Sequence, residues 1–190
     1  MGIALSRLLH SFFGKREARV VMVGLDAAGK TTILHAIAYG ETIETVPTIG
    51  FTLQSVRRGK LDLNVWDIGG QSEFRSMWKH YYKGSDALIY VVDAADHTAS
   101  RKQEARDALE AALETEDLKG VPVLILANKQ DISGAMPGTE IRAMLGLELV
   151  KGREVEVVET IGINGKGLEE GIKWLCAAMD RHWKSIGARK

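Results

Sequence analysis

Gly24-Leu25-Asp26-Ala27-Ala28-Gly29-Lys30-Thr31 matches the pattern G-x-x-x-x-G-K-[ST], and its neighbours decide how it is read. Arg19-Val20-Val21-Met22-Val23 enters it with the character of a short buried strand, and Thr32-Ile33-Leu34-His35-Ala36-Ile37 leaves it as a helix. Between a strand and a helix, such a loop turns its backbone N–H groups inward around phosphate, and the helix N-terminus adds partial positive charge. Lys30 is expected to reach the β- and γ-phosphates and the Thr31 hydroxyl to ligate Mg²⁺, with Thr32 completing the cradle. The plain alternative is a glycine-rich turn without a ligand; the flanking strand and helix weigh against it. The expected ligand is a nucleoside phosphate.

The chain has 190 residues, enough for one α/β domain that buries roughly 70% of its unfolded surface without crosslinks. Lys+Arg and Asp+Glu both number 25, so no global field favours nucleic acid, which is not expected as a partner. A lone cysteine, Cys176, excludes an internal disulfide and a multi-cysteine zinc site; its apolar helical setting predicts a buried thiol, and the inventory fits the cytosol. No apolar run approaches the roughly eighteen residues of a membrane span. No secretory leader is expected, because the apolar opening is interrupted by Arg7 and His10.

Strand and helix signals alternate after residue 18. Strands are predicted at 20–24, 51–57, 61–67, 87–93, 121–127 and 154–159, and helices at 30–39, 99–116, 139–145 and 168–185. Leu61-Asp62-Leu63-Asn64-Val65 alternates as a strand with one wet face; the unbroken apolar runs at 88–92 and 121–126 suit strands covered on both sides. The gap Arg58-Gly59-Lys60 suits a hairpin, which makes the second strand antiparallel. In the last helix Leu168, Ile172, Leu175, Met179 and Trp183 form a docking stripe. The expected fold is an α/β P-loop NTPase, a six-stranded, mostly parallel sheet with helices on both faces. Its ligand should lie beyond the carboxyl ends of the strands.

Two further motifs fall at those ends. Asp67-Ile68-Gly69-Gly70-Gln71 closes the third strand. There Asp67 is suited to the Mg²⁺ shell, through water. Gly70 is suited to a backbone N–H on a γ-phosphate, and the neutral amide of Gln71 to orienting an attacking water. Taken alone the stretch is also an ordinary turn. Asn128-Lys129-Gln130-Asp131 follows a buried strand. Asp131 can accept from N1–H and the exocyclic amine of guanine, a pattern adenine lacks, so guanine is the expected base. Asn128 is expected to tie this loop to the P-loop and the Lys129 stem to lie along the base.

Together these motifs resemble the small GTPases of the ADP-ribosylation factor (Arf) and Arf-like family. The likeness runs through Gly24–Thr32, Pro47-Thr48-Ile49-Gly50-Phe51, Trp66–Gln71, Trp78-Lys79-His80-Tyr81 and Asn128–Asp131, and extends to the amino terminus. It implies GTP and GDP as ligands, a Thr48 hydroxyl on Mg²⁺ when a γ-phosphate is present, and Gln71 as the catalytic residue. Phe51, Trp66 and Tyr81 would meet effectors, although core packing also accounts for such aromatics. Exchange factors, activating proteins and effectors are the implied partners of a monomer that visits Golgi or other endomembranes from the cytoplasm. One loop departs from the family. Before Gly165-Lys166-Gly167-Leu168 stand Ile161-Gly162-Ile163-Asn164, where a backbone N–H of Gly162 or Ile163 is left to contact the guanine carbonyl. The extra glycine predicts a looser loop and faster exchange.

Met1-Gly2-Ile3-Ala4-Leu5-Ser6 fits the acceptor pattern for an N-myristoyl group on Gly2. Leu5, Leu8, Leu9 and Phe12 then recur at helical spacing, with Arg7, Lys15 and Arg16 off that stripe. Residues 1–17 are accordingly expected to be an amphipathic, acylated membrane helix, or a helix packed on the domain, and residues 18–190 the GTP-binding domain. The P-loop carries no arginine, so GTP hydrolysis should be slow until a partner supplies one; Arg75 is expected to face a partner or solvent. The reading is a GTP-regulated membrane-recruitment switch in trafficking. A nucleotide-dependent adaptor with incidental hydrolysis and a small-molecule kinase are the alternatives.

Overall fold

The structure, a computed structural model, describes residues 16–39, 48–58 and 61–187. Gly2, the amphipathic stripe of the first 15 residues and Pro47 lie outside the described residues.

Six strands form one sheet: β1 (Arg16–Val23), β2 (Phe51–Arg58), β3 (Leu61–Ile68), β4 (Ala87–Asp93), β5 (Val123–Asn128) and β6 (Val155–Glu159). Their spatial order is β2-β3-β1-β4-β5-β6. All pairs are parallel except β2 with β3, whose register sets Phe51 opposite Ile68 and Arg58 opposite Leu61. The sheet is therefore the expected one, antiparallel edge included. The strand order reverses between β1 and β4, a topological switch point, and the β1 loop emerges there, at the carboxyl edge.

Side-chain alternation explains why helices cover both faces. Val20 and Met22 of β1, Ile89 and Val91 of β4, and Leu124 and Leu126 of β5 point to one side. There they meet α1 (Lys30–Tyr39) through Ile33, Leu34 and Ile37, and α6 (Leu168–Ser185) through Leu168, Ile172, Leu175, Met179 and Trp183. Their neighbours Val21, Val23, Leu88, Tyr90, Val92, Val123 and Ile125 point the other way. That side meets α4 (Ala99–Leu113) through Ala105, Leu109 and Ala112, and α5 (Gly138–Met144) through Ile141. Every residue of the expected docking stripe on α6 is buried. Cys176 departs from expectation in being only half-buried, beside the stripe rather than in it.

The boundaries that moved have local causes. β1 begins at Arg16, because backbone pairing with β3 carries the strand through polar residues that a hydrophobic pattern does not count. β5 begins at Val123 because Pro122 has no N–H to give; its carbonyl still accepts from Leu88 N–H at 3.1 Å. α4 stops at Leu113, and a 3-10 turn (Glu116–Leu118) follows that delivers Leu118 into the core. Two four-residue helices, α2 (Ser72–Arg75) and α3 (Lys79–Tyr82), are too short to show a period in sequence.

Asp86 joins the start of this framework to its end. Its Oδ2 accepts Arg19 N–H at 2.8 Å and its Oδ1 accepts Trp183 Nε1–H at 2.8 Å, while its own N–H returns to Arg19 O. Asp86→Ala strands two donors and is expected to cost about 2–3 kcal/mol, read as a lower urea midpoint at constant nucleotide. Asp86→Asn, which keeps one acceptor, should lose less.

Candidate nucleotide and metal site

The P-loop runs from the end of β1 into α1, and Lys30 is its centre. The ammonium is buried and donates to the carbonyls of Gly24 at 3.0 Å and Leu25 at 2.9 Å. Burial pushes Lys30 down to about 8, against the pull of Asp67 and Asp26. Ile33 N–H closes on Gly29 O, so the loop passes directly into the first helical turn, where unpaired N–H groups collect. Ala27 holds φ 60°, a left-handed value that an L residue adopts at a cost, in the turn that shapes the cradle.

Thr31, Thr48 and Asp67 come from three separate segments and meet. Thr31 Oγ1 donates to Asp67 Oδ2 at 2.7 Å and lies 2.8 Å from Thr48 Oγ1. The single hydroxyl proton of Thr31 goes to Asp67, so the proton between the two threonines comes from Thr48. Asp67 is fully buried; burial raises its pKa, with the Thr31 hydrogen bond and Lys30 opposing. Its second oxygen, Oδ1, has no hydrogen-bond partner. A buried carboxylate oxygen left bare, beside two hydroxyls and no soft donor, fits Mg²⁺, which takes oxygen ligands, one or two carboxylates and substrate phosphates. Among the described residues no cluster of three or more His, Cys, Asp or Glu offers a rival metal site.

Asn128 ties the base loop to the P-loop, as expected: its Nδ2 donates to Ala28 O at 2.9 Å. A Cβ on Gly29 would sit 2.5 Å from that nitrogen. Asn128 Oδ1 accepts Gly162 N–H at 2.9 Å, so this N–H is already engaged and a purine carbonyl drawing on it would share it. Gly162 is also packed against Ile33 and Asn128, which explains a glycine there by close approach rather than looseness. Ile163 and Asp131 are exposed. Lys129 holds φ 70° and pairs through Nζ with Asp93 at 2.6 Å. Asp93, at the end of β4, and Gln130, whose amide donates to Met136 O at 2.9 Å, support this loop; Asp93 belongs to no motif and Gln130 fills the variable position of one, so neither was marked in sequence.

Asp26, Ala27, Gly29, Lys30, Thr31, Thr32, Thr48, Gly70, Gln71 and Lys129 line one cleft of about 370 Å³. Gly70 presses on the P-loop: Asp26 N–H donates to its carbonyl at 3.2 Å, and any side chain there would collide with Gly24 O and the backbone of Leu25 and Asp26. Arg75, expected to face a partner or solvent, has its side chain only 19% exposed and bonded within the protein. Arg101 of α4, outside every motif, donates to Asp26 Oδ1 and O, each at 3.0 Å.

Phe51, Trp66 and Tyr81 form a triangle with ring centroids 5.1, 5.2 and 5.8 Å apart. Phe51 is 47% exposed, while Trp66 and Tyr81 are half-buried and pack against the core on the α4 side, so the trio runs from core to surface. The Arg19 guanidinium backs it, 4.2 Å over the Trp66 ring. Ile49, Leu53 and Met77 lie exposed nearby in sequence.

A doubly covered parallel sheet, with this cradle beyond its β1 strand, defines a P-loop NTPase. The family model described as the ADP-ribosylation factor family matches residues 5–179. ADP-ribosylation factor 1 of Brassica rapa subsp. pekinensis is 43% identical over 175 residues, 92% of this chain and 95% of that protein. The Arl6 BBS3 small GTPase of Trypanosoma brucei, solved with the nucleotide analogue GppNp, superposes with a TM-score of 0.80 at 34% identity, covering 88% of this chain and 99% of that one. The chain belongs to the ADP-ribosylation factor family of small GTPases, whose members bind GTP, GDP and Mg²⁺ and hydrolyse GTP.

Gly70→Ala is expected to push the 69–71 loop off the P-loop. Forced overpacking costs about 1–3 kcal/mol, or roughly 10- to 100-fold in a binding constant. Competition binding should show that loss for a GTP analogue, with GDP affinity changed less than about threefold.

Proposed function

We propose that this GTPase is a nucleotide-regulated switch that recruits effector proteins to a membrane surface in trafficking, under the control of an exchange factor and an activating protein. One observation carries the reading. Thr48 lies three residues before β2, and Gly70 two residues after β3; both reach the phosphate end of the cleft. The two ends of one hairpin are thus the segments a γ-phosphate can hold, and the hairpin bears Phe51 and Trp66 of the aromatic cluster. Gain or loss of one phosphoryl group can therefore act on the cluster, to the extent that GTP and GDP differ in affinity for its two arrangements.

In the proposed site Lys30 and the backbone N–H groups of the Asp26–Thr31 turn bind the phosphates. Thr31 and Asp67 hold Mg²⁺, Asp67 through water, and Thr48 joins them when the γ-phosphate is present. Bound there, the metal neutralises charge on the β- and γ-oxygens. Gln71, its amide both donor and acceptor, orients the attacking water. Asp131 reads the guanine edge, the Lys129 stem flanks the base, and Ile163 N–H is free of the Asn128 contact that engages Gly162. No arginine of the P-loop reaches the phosphates, so unaided hydrolysis is slow and an activating protein supplies the missing charge, worth about 10³- to 10⁵-fold.

For the membrane, Gly2 is the acylation site. One myristoyl chain binds with K of only about 10⁴ M⁻¹, and the amphipathic segment that follows is the second anchor. The GTP form of acylated protein should cosediment with liposomes more than the GDP form; equal partitioning would refute the switch.

Two substitutions test the chemistry. Asp131→Asn replaces an acceptor pair by an amide and should weaken guanine nucleotides by about 10³-fold or more in equilibrium titration. Gln71→Leu should retain GTP and lose extract-stimulated single-turnover hydrolysis; turnover at the parent rate would remove Gln71 from the mechanism.

A further inference from the structure

Among the described residues the Gln71 side chain has no hydrogen-bond partner, although its carbonyl accepts Phe74 N–H at 3.0 Å. Gln71 precedes α2 in extended geometry, φ −62° and ψ 149°, and its side chain makes no capping hydrogen bond. The peptide before it is held as well. Gly70 O accepts Arg75 Nε–H at 2.9 Å and Asp26 N–H at 3.2 Å. The peptide unit is planar, so a fixed Gly70 carbonyl also fixes the Gln71 nitrogen and Cα; with the Gln71 carbonyl held by Phe74 N–H on the other side, φ is restrained and the side chain leaves in one direction.

Arg75 is itself held from two sides. Its Nη1 donates to Glu104 Oε1 at 2.7 Å, and its Nη2 lies 3.6 Å from Asp26 Oδ1. The other Glu104 oxygen accepts from Arg101 at 3.0 Å, and Arg101 returns to Asp26. One carboxylate on α4 thus divides between two arginines, and both end on the P-loop or the peptide beside it. The Arg75 hydrogen bond keeps the Glu104 carboxyl below its usual range. A guanidinium held by hydrogen bonds to Gly70 O and Glu104, with Asp26 close by, acts as a brace between these groups.

We propose that Arg75 is a positioning residue for GTP hydrolysis: through the Gly70 carbonyl it sets the aim of Gln71, and Glu104 with Arg101 sets Arg75. The proposal rests on the reading of Gln71 as the residue that orients water. A displacement of about 1 Å at a reacting group is enough to cost about 10²-fold, without any loss of ground-state binding.

The test is single-turnover hydrolysis of γ-labelled GTP by the full chain with Mg²⁺, alone and with cytosolic extract, beside GDP and GTP-analogue affinities. Arg75→Ala should slow both the intrinsic and the stimulated rate by about 10²-fold, with affinities within about threefold. Arg75→Lys, which lacks the Nε–H and the fork, should not rescue it. Glu104→Gln, far from the nucleotide, should slow hydrolysis about five- to tenfold and carries the test should Arg75→Ala fail to fold. Arg75→Ala combined with Gln71→Leu should be no slower than Gln71→Leu alone, because both act on one step. Additive losses, a rate loss matched by lost nucleotide affinity, or unchanged rates in Arg75→Ala and Glu104→Gln beside an inactive Gln71→Leu would each overturn the positioning role. A Gln71→Leu protein active at the parent rate would instead overturn the reading beneath it.

Discussion

The ammonium of Lys30 sits inside the protein with two carbonyl oxygens of its own loop as hydrogen-bond partners, and the surrounding structure follows from that arrangement. Burying a cation is costly unless anions compensate, and the nearest carboxylates, Asp67 and Asp26, offset burial only in part, since Lys30 stays depressed to about 8. The third ammonium donor and the N–H groups of the first turn of α1 face the same cleft. A polyphosphate with its metal suits such a site, since it brings anions to Lys30 and a cation to Asp67. Asp67 shows the complementary deficit, a buried carboxylate with one bare oxygen. A cation short of anions and an anion short of cations stand at one strand end, which is why substrate and metal belong to a single binding event.

Around that centre backbone carbonyls join the loops alongside the side-chain pairs. Asn128 reaches Ala28 O, Asp26 N–H reaches Gly70 O, and Arg101 reaches Asp26 O. Such contacts demand close approach, and glycine at 29 and 70 allows it: a Cβ would lie 2.5 Å from Asn128 Nδ2 at the first and collide with Gly24 O at the second. Base loop, P-loop and the 69–71 loop are therefore coupled through their main chains.

The sequence announced the parts of the site that repeat a fixed spacing. Gly24–Thr31 and Asn128–Asp131 are contiguous, and their roles follow from local chemistry; the tie from Asn128 to the P-loop could be stated before any coordinates. The sheet was equally legible, because two-sided burial writes unbroken apolar runs and a hairpin gap betrays the antiparallel strand. Arg75, Asp93, Arg101 and Glu104 were not legible. Each belongs to a pairing across 29 to 75 residues of chain, and a charged residue at one position carries no mark of its distant partner. The short α2 and α3 helices were lost for a related reason: four residues do not complete enough turns to display a period. Gly162 misled in the other direction, since a glycine read for its entropy is there for its lack of volume.

The same long-range pairings bear on why a GTPase of this design would leave hydrolysis to outside control. Two arginines lie beside the P-loop, within reach of Asp26, and either would serve transition-state charge if its guanidinium were free. Both are spent on carboxylates: Arg75 on Glu104 and Asp26, Arg101 on Asp26, Glu104 and Asp96. Three acids against two bases leave this cluster without positive surplus, so it can orient the cleft without adding to the field that a developing negative charge would feel. Positioning and charge stabilisation are thereby separated. On the proposed reading, the first is built into the fold and the second falls to Lys30, the metal and a cation supplied by a partner. A switch gains from that division, because a site fully equipped in cis would discharge its signal on its own clock.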